Sequence, residues 1–451
     1  MTVLRNLPAA VDSCVPRPGA CPGLLRIVAA LDGGICRVKL PGGRLSSAQA
    51  RSIAAAATAQ ACGVLELTNR SNLQIRGVRD AGQGELIAAL LAAGLGPRVA
   101  AADDVRNLLL SPAAGLDPAA RLDVGPLAGQ LLDLLQDHRE FHVLSAKFAL
   151  QLDGGEALAM LEHPHDLWLG AMPGAEPLLA FGLAGCPLNG PLAAVTPAQA
   201  VPLVDAVLRL FLELAGTEHS RMRQLLAALP VSEFLDRLQA RLPFPLRRDP
   251  AVLGWRRAAG PGAVPLGAHA QRQAGRQLIL AAARLGRIGA GQLHALADLA
   301  EQYGDASLRL TPWQGLLLPN IPTPQVPRVL QELRALGLLL DAREPLSRLL
   351  ACTGSAACAR GLADTKADAL KLAELLRAGS ARPQVHLSGC PRSCAAAHTA
   401  PFTLLAQPGG RYQLYQRAAG VAGFGRLLAP SLSIEEAGAW FAAQPASGTS
   451  A

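Results

Sequence analysis

Apolar and polar positions alternate in short runs separated by one helical stretch, and the same order recurs later in the chain. From Gly23 to Lys39 the run L-L-R-I-V-A-A-L-D-G-G-I-C-R-V-K predicts two strands around a turn at Asp32-Gly33-Gly34. A helix follows, capped by Ser46 or Ser47, built internally of alanine and ended by Gly63. Val64 to Val78 then alternates as a strand, turns near Asn69 to Asn72 and resumes as a second strand. Gly43 through Thr68 aligns without a gap on Gly286 through Thr311, an offset of 243, with Gln49 and Gln292 at the two helix starts and L-x-L-T at the two ends. The same offset lays Leu144-Ser145 on Leu387-Ser388. Three matches at one offset predict an ancestral duplication into two similar halves. They put Lys147 opposite Cys390, Arg70 opposite Trp313 and Arg76 opposite Pro319, so a ligand across the junction would meet cations on one side and thiolates on the other.

The remaining segments read more coarsely. Asp104 to Pro118 reads as a loop, Pro126 to Phe141 as a helix and His142 to Gly155 as a strand. Residues 196–242 are mainly helical, and the Pro/Gly/Arg-rich stretch 243–267 is the best connector. Asp364 to Gly379 predicts a helix between the cysteine pairs described below. Strand Pro401–Gln407, a turn at Pro408-Gly409-Gly410, strand Tyr412–Gly420 and helix Ser433–Gln444 close the chain. The fold class is α/β (α+β), internally duplicated, with expected divisions at 20–90, 91–250, 251–330 and 331–451.

At 451 residues, half of them apolar, the chain splits into about three domains. Net charge is +8, but the arginines are scattered and form no basic tail. That argues against a nucleic-acid arm and suits a pocket for an anionic small molecule. No run reaches the roughly eighteen apolar residues of a membrane span, and no signal peptide is read in residues 1–23. Cys14, Cys21, Cys36, Cys62 and Cys186 are widely spaced, which fits a reducing cytoplasm.

Cys352 and Cys358 have five residues between them, Cys390 and Cys394 three. Two close pairs of thiolates form a metal-site pattern, and soft sulfur ligands select zinc, copper(I) or iron–sulfur clusters. Zinc ribbons hold tighter hairpins than these, and Gly354, Ser355, Ser388 and Gly389 let backbone N–H groups approach the sulfurs. A [4Fe–4S] cluster is therefore the first expectation. A structural zinc scaffold or an electron-transfer protein uses the same cysteines, and four buried apolar cysteines are the bland alternative.

These pairs, the repeated module, T-x-R-x-x-x-Q-x-R at Thr68–Arg76 and V-R-N-x-x-x-S-P-x-A-G at Val105–Gly115 together resemble the sulfite and nitrite reductase superfamily. The resemblance spans roughly residues 20–430. It implies a three-domain fold with pseudo-twofold symmetry, a [4Fe–4S] cluster on Cys352, Cys358, Cys390 and Cys394, and a basic pocket for a polycarboxylate tetrapyrrole. In the reductases the residue matching Cys394 also bridges to sirohaem iron.

One segment departs from the reductases. Where they carry R-K-F-K, this chain reads Ala146-Lys147-Phe148-Ala149, which removes cationic donors that neutralise and protonate an oxyanion substrate. C-P-G-L-L-R, L-P-G-G-R-L-S, L-x-x-K-F-x-x-x-x-D-G-G and L-R-L-T-P-W-Q-G-L-L-L-P are more similar to the precorrin-3B synthases of aerobic cobalamin synthesis. That branch implies a monooxygenase taking precorrin-3A and O2, with non-haem iron beside the cluster and electrons from NADH, directly or through an electron-donor protein. Arg70, Arg76, Arg106 and Lys147 are the expected substrate contacts, with Lys147 and Arg76 also catalytic. His142, His163, His165, His386 and His398 are the possible iron ligands. A sirohaem-dependent nitrite or sulfite reductase is the competing reading.

Overall fold

The structure is a computed structural model that describes residues 21–260, 265–377, 379, 381–419 and 421–444. Cys14, the segment 1–20 and part of the connector, 261–264, lie outside them. The repeated module builds two antiparallel five-stranded sheets. One has the order Val28–Ala30, Gly33–Val38, Leu73–Val78, Val64–Leu67, Arg287–Gly289, and the other Gly267–Ala270, Arg276–Ala282, Gly315–Pro322, Ser307–Thr311, Arg44–Ser46. Each fifth strand comes from the opposite half. The exchange explains the glycines before both short strands: Gly43 and Gly286 have φ of 68° and 73°, and a Cβ on Gly43 would stand 2.2 Å from the Leu310 carbonyl oxygen.

Leu67 opposes Leu73 and Leu310 opposes Leu316, so the offset of 243 persists through both hairpins. Arg70 and Arg76 thus correspond to Trp313 and Pro319, as expected from the sequence. Helices Ser47–Gln60 and Ala290–Tyr303 share one core, with Ile53 and Ala57 in the same cluster as Leu293, Leu296 and Ala297. Neither half covers its own helix alone. Ser46 is the cap of the first helix, its hydroxyl accepting from Gln49 N at 3.1 Å.

The rest of the chain forms two mixed sheets of equal connectivity. Leu108–Leu110, Leu150–Asp153 and His165–Ala171 run parallel, followed by antiparallel Leu179–Gly185 and Ala193–Val195. Leu349–Ala351, Val385–Ser388 and Phe402–Gln407 repeat the parallel part, and Arg411–Gln416 and Arg426–Leu432 the antiparallel part. This is the duplicated α/β architecture expected of the reductase superfamily.

Register corrects the second half of the alignment. Leu108 pairs with Leu150 and that with Leu167, while Leu349 pairs with Val385 and that with Phe402. The offset is 241 between the first strands (108 to 349) and 235 between the next two (150 to 385, 167 to 402). Cys390 therefore corresponds to Gly155, and Lys147 does not stand opposite it. The cause is a connection between first and second strands that is six residues shorter in the second copy (241 − 235). Two local expectations also change. The loop expected over 104–118 contains strand Leu108–Leu110, and the strand expected from His142 begins only at Leu150, after a 3-10 turn at Arg139–Val143. A three-leucine strand buried on both faces shows no alternation to read.

Candidate functional site

Parallel strands deliver their C-terminal ends to one edge of a sheet. Leu349–Ala351 and Val385–Ser388 therefore bring Cys352 and Cys390 to the same edge. The backbone N–H of Gly389 donates to Cys352 Sγ at 3.2 Å, and Thr365 Oγ1 stands 3.5 Å from that sulfur. Cys358 is reached by a turn in which its N–H donates to the Gly354 carbonyl at 2.9 Å. Gly354 has φ 69°, and a Cβ there would stand 2.6 Å from Thr365 N. Cys394 is the exposed member of the four, yet desolvation, then the charges of Cys390, Cys352 and Cys358, push its thiol up. The four sulfurs share one electrostatic neighbourhood, ringed by small residues and backbone donors, which fits a cluster of soft iron and sulfide. The hairpin turns of both half-modules hold the cysteine loop, Asn69 Nδ2 donating to the Cys394 carbonyl and Gln314 Nε2 to that of Ala395, each at 3.4 Å.

Near the first half-module's hairpin is a small cavity of about 10 Å³, the size of a single water site, lined by Arg70, Asn72, Arg106, Asn107, Leu108, Leu109, Ala149 and His165. Arg70 reaches back to the Lys147 carbonyl at 3.5 Å, and burial, then Arg221 and Arg37, push its guanidinium down to about 10. Arg106 is buried, bonded to the Leu95 carbonyl at 3.2 Å and to Asp103 at 3.4 Å, with its Nε unpartnered. His165 Nδ1 lies 2.8 Å from the His163 carbonyl. A carbonyl only accepts, so Nδ1 carries the proton and Nε2 keeps its lone pair. Burial, then Arg70, push this imidazole down to about 3, so the cavity is cationic at its arginines and neutral at its histidine.

Lys147 lies exposed, its backbone N–H donating to Ser145 Oγ at 3.2 Å and its carbonyl accepting from Arg70. Arg76 is placed differently from its expected role. It is 3 % exposed, grips Asp32 at 2.6 and 2.9 Å and lies 3.8 Å from Glu66. Glu66 in turn meets Arg287 at 2.8 Å and Lys366 at 3.7 Å. Burial raises the Glu66 carboxyl, but Lys366, Arg76 and Arg287 outweigh it and hold the group below its usual range. Arg76 is a joint between both half-modules and the cysteine-bearing sheet and does not line the cavity.

Three cations escaped the sequence reading. Arg37 is desolvated and feels Cys21 and Cys394. Lys39, pushed down by burial to about 8, donates to the Asp103 carbonyl at 2.6 Å. Arg221 pairs with buried Asp166 at 2.9 Å. The first two had a visible signal, since Arg37 and Lys39 alternate with the buried Cys36 and Val38. Of the histidines considered, His163, His165, His386 and His398 fall in one neighbourhood. His142 instead bonds the Gln136 carbonyl at 3.0 Å.

Comparison with known proteins meets this geometry. The nitrite/sulfite reductase ferredoxin-like half domain matches residues 30–93 and again 269–336, the two antiparallel modules. The nitrite and sulphite reductase 4Fe-4S domain matches residues 101–246, the mixed-sheet copy without the four cysteines. Chloroplastic ferredoxin–nitrite reductase of Arabidopsis thaliana is 32% identical over 389 residues, 79% of this chain and 64% of that protein. Ferredoxin–nitrite reductase of Synechococcus elongatus is 30% identical over 403 residues, 82% of this chain and 76% of that one. Sulfite reductase [ferredoxin] 2 of Mycolicibacterium paratuberculosis is 27% identical over 426 residues, 87% and 75% of the two chains. The chain thus spans a little under two thirds of the plant reductases it matches. The solved structure of the Mycobacterium tuberculosis NirA protein superposes with a TM-score of 0.74 at 23% identity, over 90% of this chain and 79% of that one, a likeness of fold. On the matched domains and these relatives, the chain belongs to the nitrite and sulfite reductase family.

Proposed function

We propose that the chain is an oxidoreductase that holds a [4Fe–4S] cluster on Cys352, Cys358, Cys390 and Cys394 and seats a polycarboxylate tetrapyrrole beside it. Arg70 and Arg106 offer guanidinium forks to its carboxylates, with Arg37 and Lys39 adding positive potential. Within that class we read the tetrapyrrole as the substrate precorrin-3A and the enzyme as a precorrin-3B synthase. One atom of O2 enters a ring carbon as hydroxyl, a neighbouring acetate closes a γ-lactone, and the other oxygen atom leaves as water with two electrons from NADH, delivered directly or through an electron-donor protein. Non-haem iron, fed by the cluster, would supply the oxygen activation.

The observation that carries this reading is the chemistry of the wall beside the tetrapyrrole. Ala149 is buried there and lines the cavity, Ala146 stands before Lys147, and the nearby His165 is neutral. A site that lacks the first arginine and second lysine of the R-K-F-K segment has two fewer cationic donors to draw protons onto nitrite or sulfite oxygens. Its guanidiniums still suit a substrate fringed with carboxylates.

The second reading, a sirohaem-dependent ferredoxin nitrite or sulfite reductase, is favoured by the relatives, whose names carry those activities at 27 to 32% identity. It is the better supported of the two by sequence likeness. Anaerobic purification with an absorption spectrum and acid extraction of chromophore decides between them. A broad cluster band without extractable sirohaem, followed by precorrin-3A-dependent O2 uptake, is expected. Stoichiometric sirohaem with Soret and red bands overturns the oxygenase reading and returns the chain to the reductases.

A further inference from the structure

From Leu150 on Val385 to Leu169 on Leu404, the two parallel-strand repeats align without a gap at an offset of 235. Under this alignment His163 falls on His398, and Gln151 falls on His386. The two paired histidines also meet in space, with ring centroids 5.0 Å apart and planes inclined by 39°. The duplication thus brings one imidazole from each copy to a common junction.

The hydrogen bonding of this junction is incomplete. Among the described residues three histidine ring nitrogens are buried without a partner: His163 Nδ1 and His398 Nδ1 at this junction, and Nε2 of His386, whose ring feels the charge of His398. His163 and His386 are 2 % and 1 % exposed. In the paired histidines the same atom is orphaned in both copies. Gln151, the counterpart of His386, likewise leaves its Oε1 without a partner. A buried polar atom that has lost water and gained nothing calls for an explanation, and an ion is one that serves several such atoms at once.

The far side of His398 fits the same reading. Its Nε2 faces Glu162 Oε2 at 3.5 Å, and Arg417 holds Glu162 at 2.8 Å. A carboxylate on one ring nitrogen keeps the proton there and turns the lone pair of the other outward, as around metal-bound histidines. Two imidazoles on one ion at metal–nitrogen distances of about 2.0–2.1 Å have centroids about 5 Å apart.

We propose that His163 Nδ1, His386 Nε2 and His398 Nδ1 bind one divalent first-row transition-metal ion, with Glu162 orienting His398. Among the described residues no group of three or more His, Cys, Asp or Glu side chains already stands ready to hold a metal ion, so capture turns these rings about their side-chain torsions. Three imidazoles leave positions open for exogenous ligands, and such donors suit iron, zinc, copper or nickel. That the ion is iron rests on the oxygenase reading; the ligand set does not. His398 follows Cys394 by four residues and His165 follows His163 by two, so the ion lies between the cysteine loop and the arginine-lined cavity.

The test uses the full chain, purified anaerobically and reconstituted with Fe2+. Iron and acid-labile sulfide are assayed, and the ferrous protein is treated with nitric oxide for electron paramagnetic resonance. Wild type and His142→Gln are expected to hold about one iron beyond the cluster and to give a high-spin nitrosyl signal. His386→Gln and His398→Gln should lose that iron and that signal while keeping sulfide and cluster absorption. Glu162→Gln should weaken uptake about 10- to 100-fold, and it decides the matter where a histidine variant also loses sulfide. Extra iron that persists in both histidine variants, a wild type that takes up none, or unchanged uptake in Glu162→Gln overturns the proposal. Extra iron lost with the histidines in a protein carrying sirohaem sinks the oxygenase reading and leaves this site standing. Extra iron indifferent to the histidines in a sirohaem-free protein does the reverse.

Discussion

The two mixed sheets share connectivity and, between their second and third strands, register, yet they finish their strand ends in opposite ways. In the second copy the first two parallel strands run out into Cys352 and Cys390. The equivalent positions of the first copy are Ser111 and Gly155. There the edge is closed by its own bonds. Ser111 Oγ donates to the Leu158 carbonyl at 2.7 Å and accepts from Ala113 N at 2.9 Å. Asp153 accepts from Gly155 N at 3.1 Å and from Arg257 at 2.8 Å, and Glu156 accepts from Gly154 N at 2.8 Å. The parallel strands fix where the chain arrives, and a few loop residues decide whether that edge becomes a ligand shell or a sealed turn.

The largest effect should come from erasing that difference. Cys352→Ser with Cys390→Gly gives the second copy the first copy's residues at both positions, and labile sulfide and the cluster absorption should vanish completely. Far-UV circular dichroism checks that the sheet survives. Retention of full sulfide would break the assignment of the thiolate edge.

Arg76 and Arg106 sharpen the contrast between joint and pocket. Arg76→Ala removes the guanidinium that Asp32 grips and leaves Glu66 to Arg287 and Lys366, and loss of such charged hydrogen bonds costs about 1.5–3 kcal/mol, read as a lowered denaturation midpoint. Arg106→Ala should instead weaken binding of a polycarboxylate tetrapyrrole about 10- to 100-fold, from loss of charged hydrogen bonds worth about 1.5–3 kcal/mol. Equal losses of binding in the two variants would collapse the distinction.

Glu156 offers a pH test of the sealed edge, since the second copy has Pro391 in its place. Burial, then Asp153, raises its carboxyl from 4.5 to about 8. The folded chain then holds a proton that the unfolded chain releases between these values, so this group's contribution to stability is full below pH 4.5 and declines as pH rises toward 8. Glu156→Gln should flatten that slope and stabilise the chain by on the order of 2 kcal/mol at pH 7. Parallel stability–pH curves for variant and wild type would count against it.

What the sequence made legible divides along the same line. The antiparallel modules were readable because their repeat has no gap and its helix-start glutamines recur. The thiolate edge was readable because cysteine spacing is rare. The second repeat was hidden: over twenty positions at offset 235 its clear identities are Leu152 and Leu387, Gly154 and Gly389, His163 and His398, Leu169 and Leu404. Carrying 243 across a shortened connection placed Lys147 against Cys390 instead. Arg76 shows a different obstacle, because a sequence displays a charge but not the partner 44 residues away that neutralises it. Arg37 and Lys39 gained meaning only when their strand came to lie against Asp103 and the cysteine loop.

The smallest effect bears on how far the two antiparallel modules have diverged. Gln49 accepts from Ser46 N at 3.1 Å and donates to the Ala93 carbonyl at 3.3 Å; Gln292 accepts from Gly289 N at 2.7 Å and donates to the Leu336 carbonyl at 2.6 Å. The first cap has a second component, because Ser46 Oγ also accepts from Gln49 N. Gly289 has no side chain, so in the second module the glutamine bears the cap alone. Gln292→Ala should therefore cost about 1 kcal/mol and Gln49→Ala about half as much, measured from urea midpoints at constant slope. Gly289 has φ −84° and ψ 160°, a backbone that serine adopts freely, so Gly289→Ser should restore a few tenths of a kcal/mol and narrow the gap. Equal costs for the two glutamines, with no gain from the serine, would mean that their bonds to Ala93 and Leu336 matter and the caps do not.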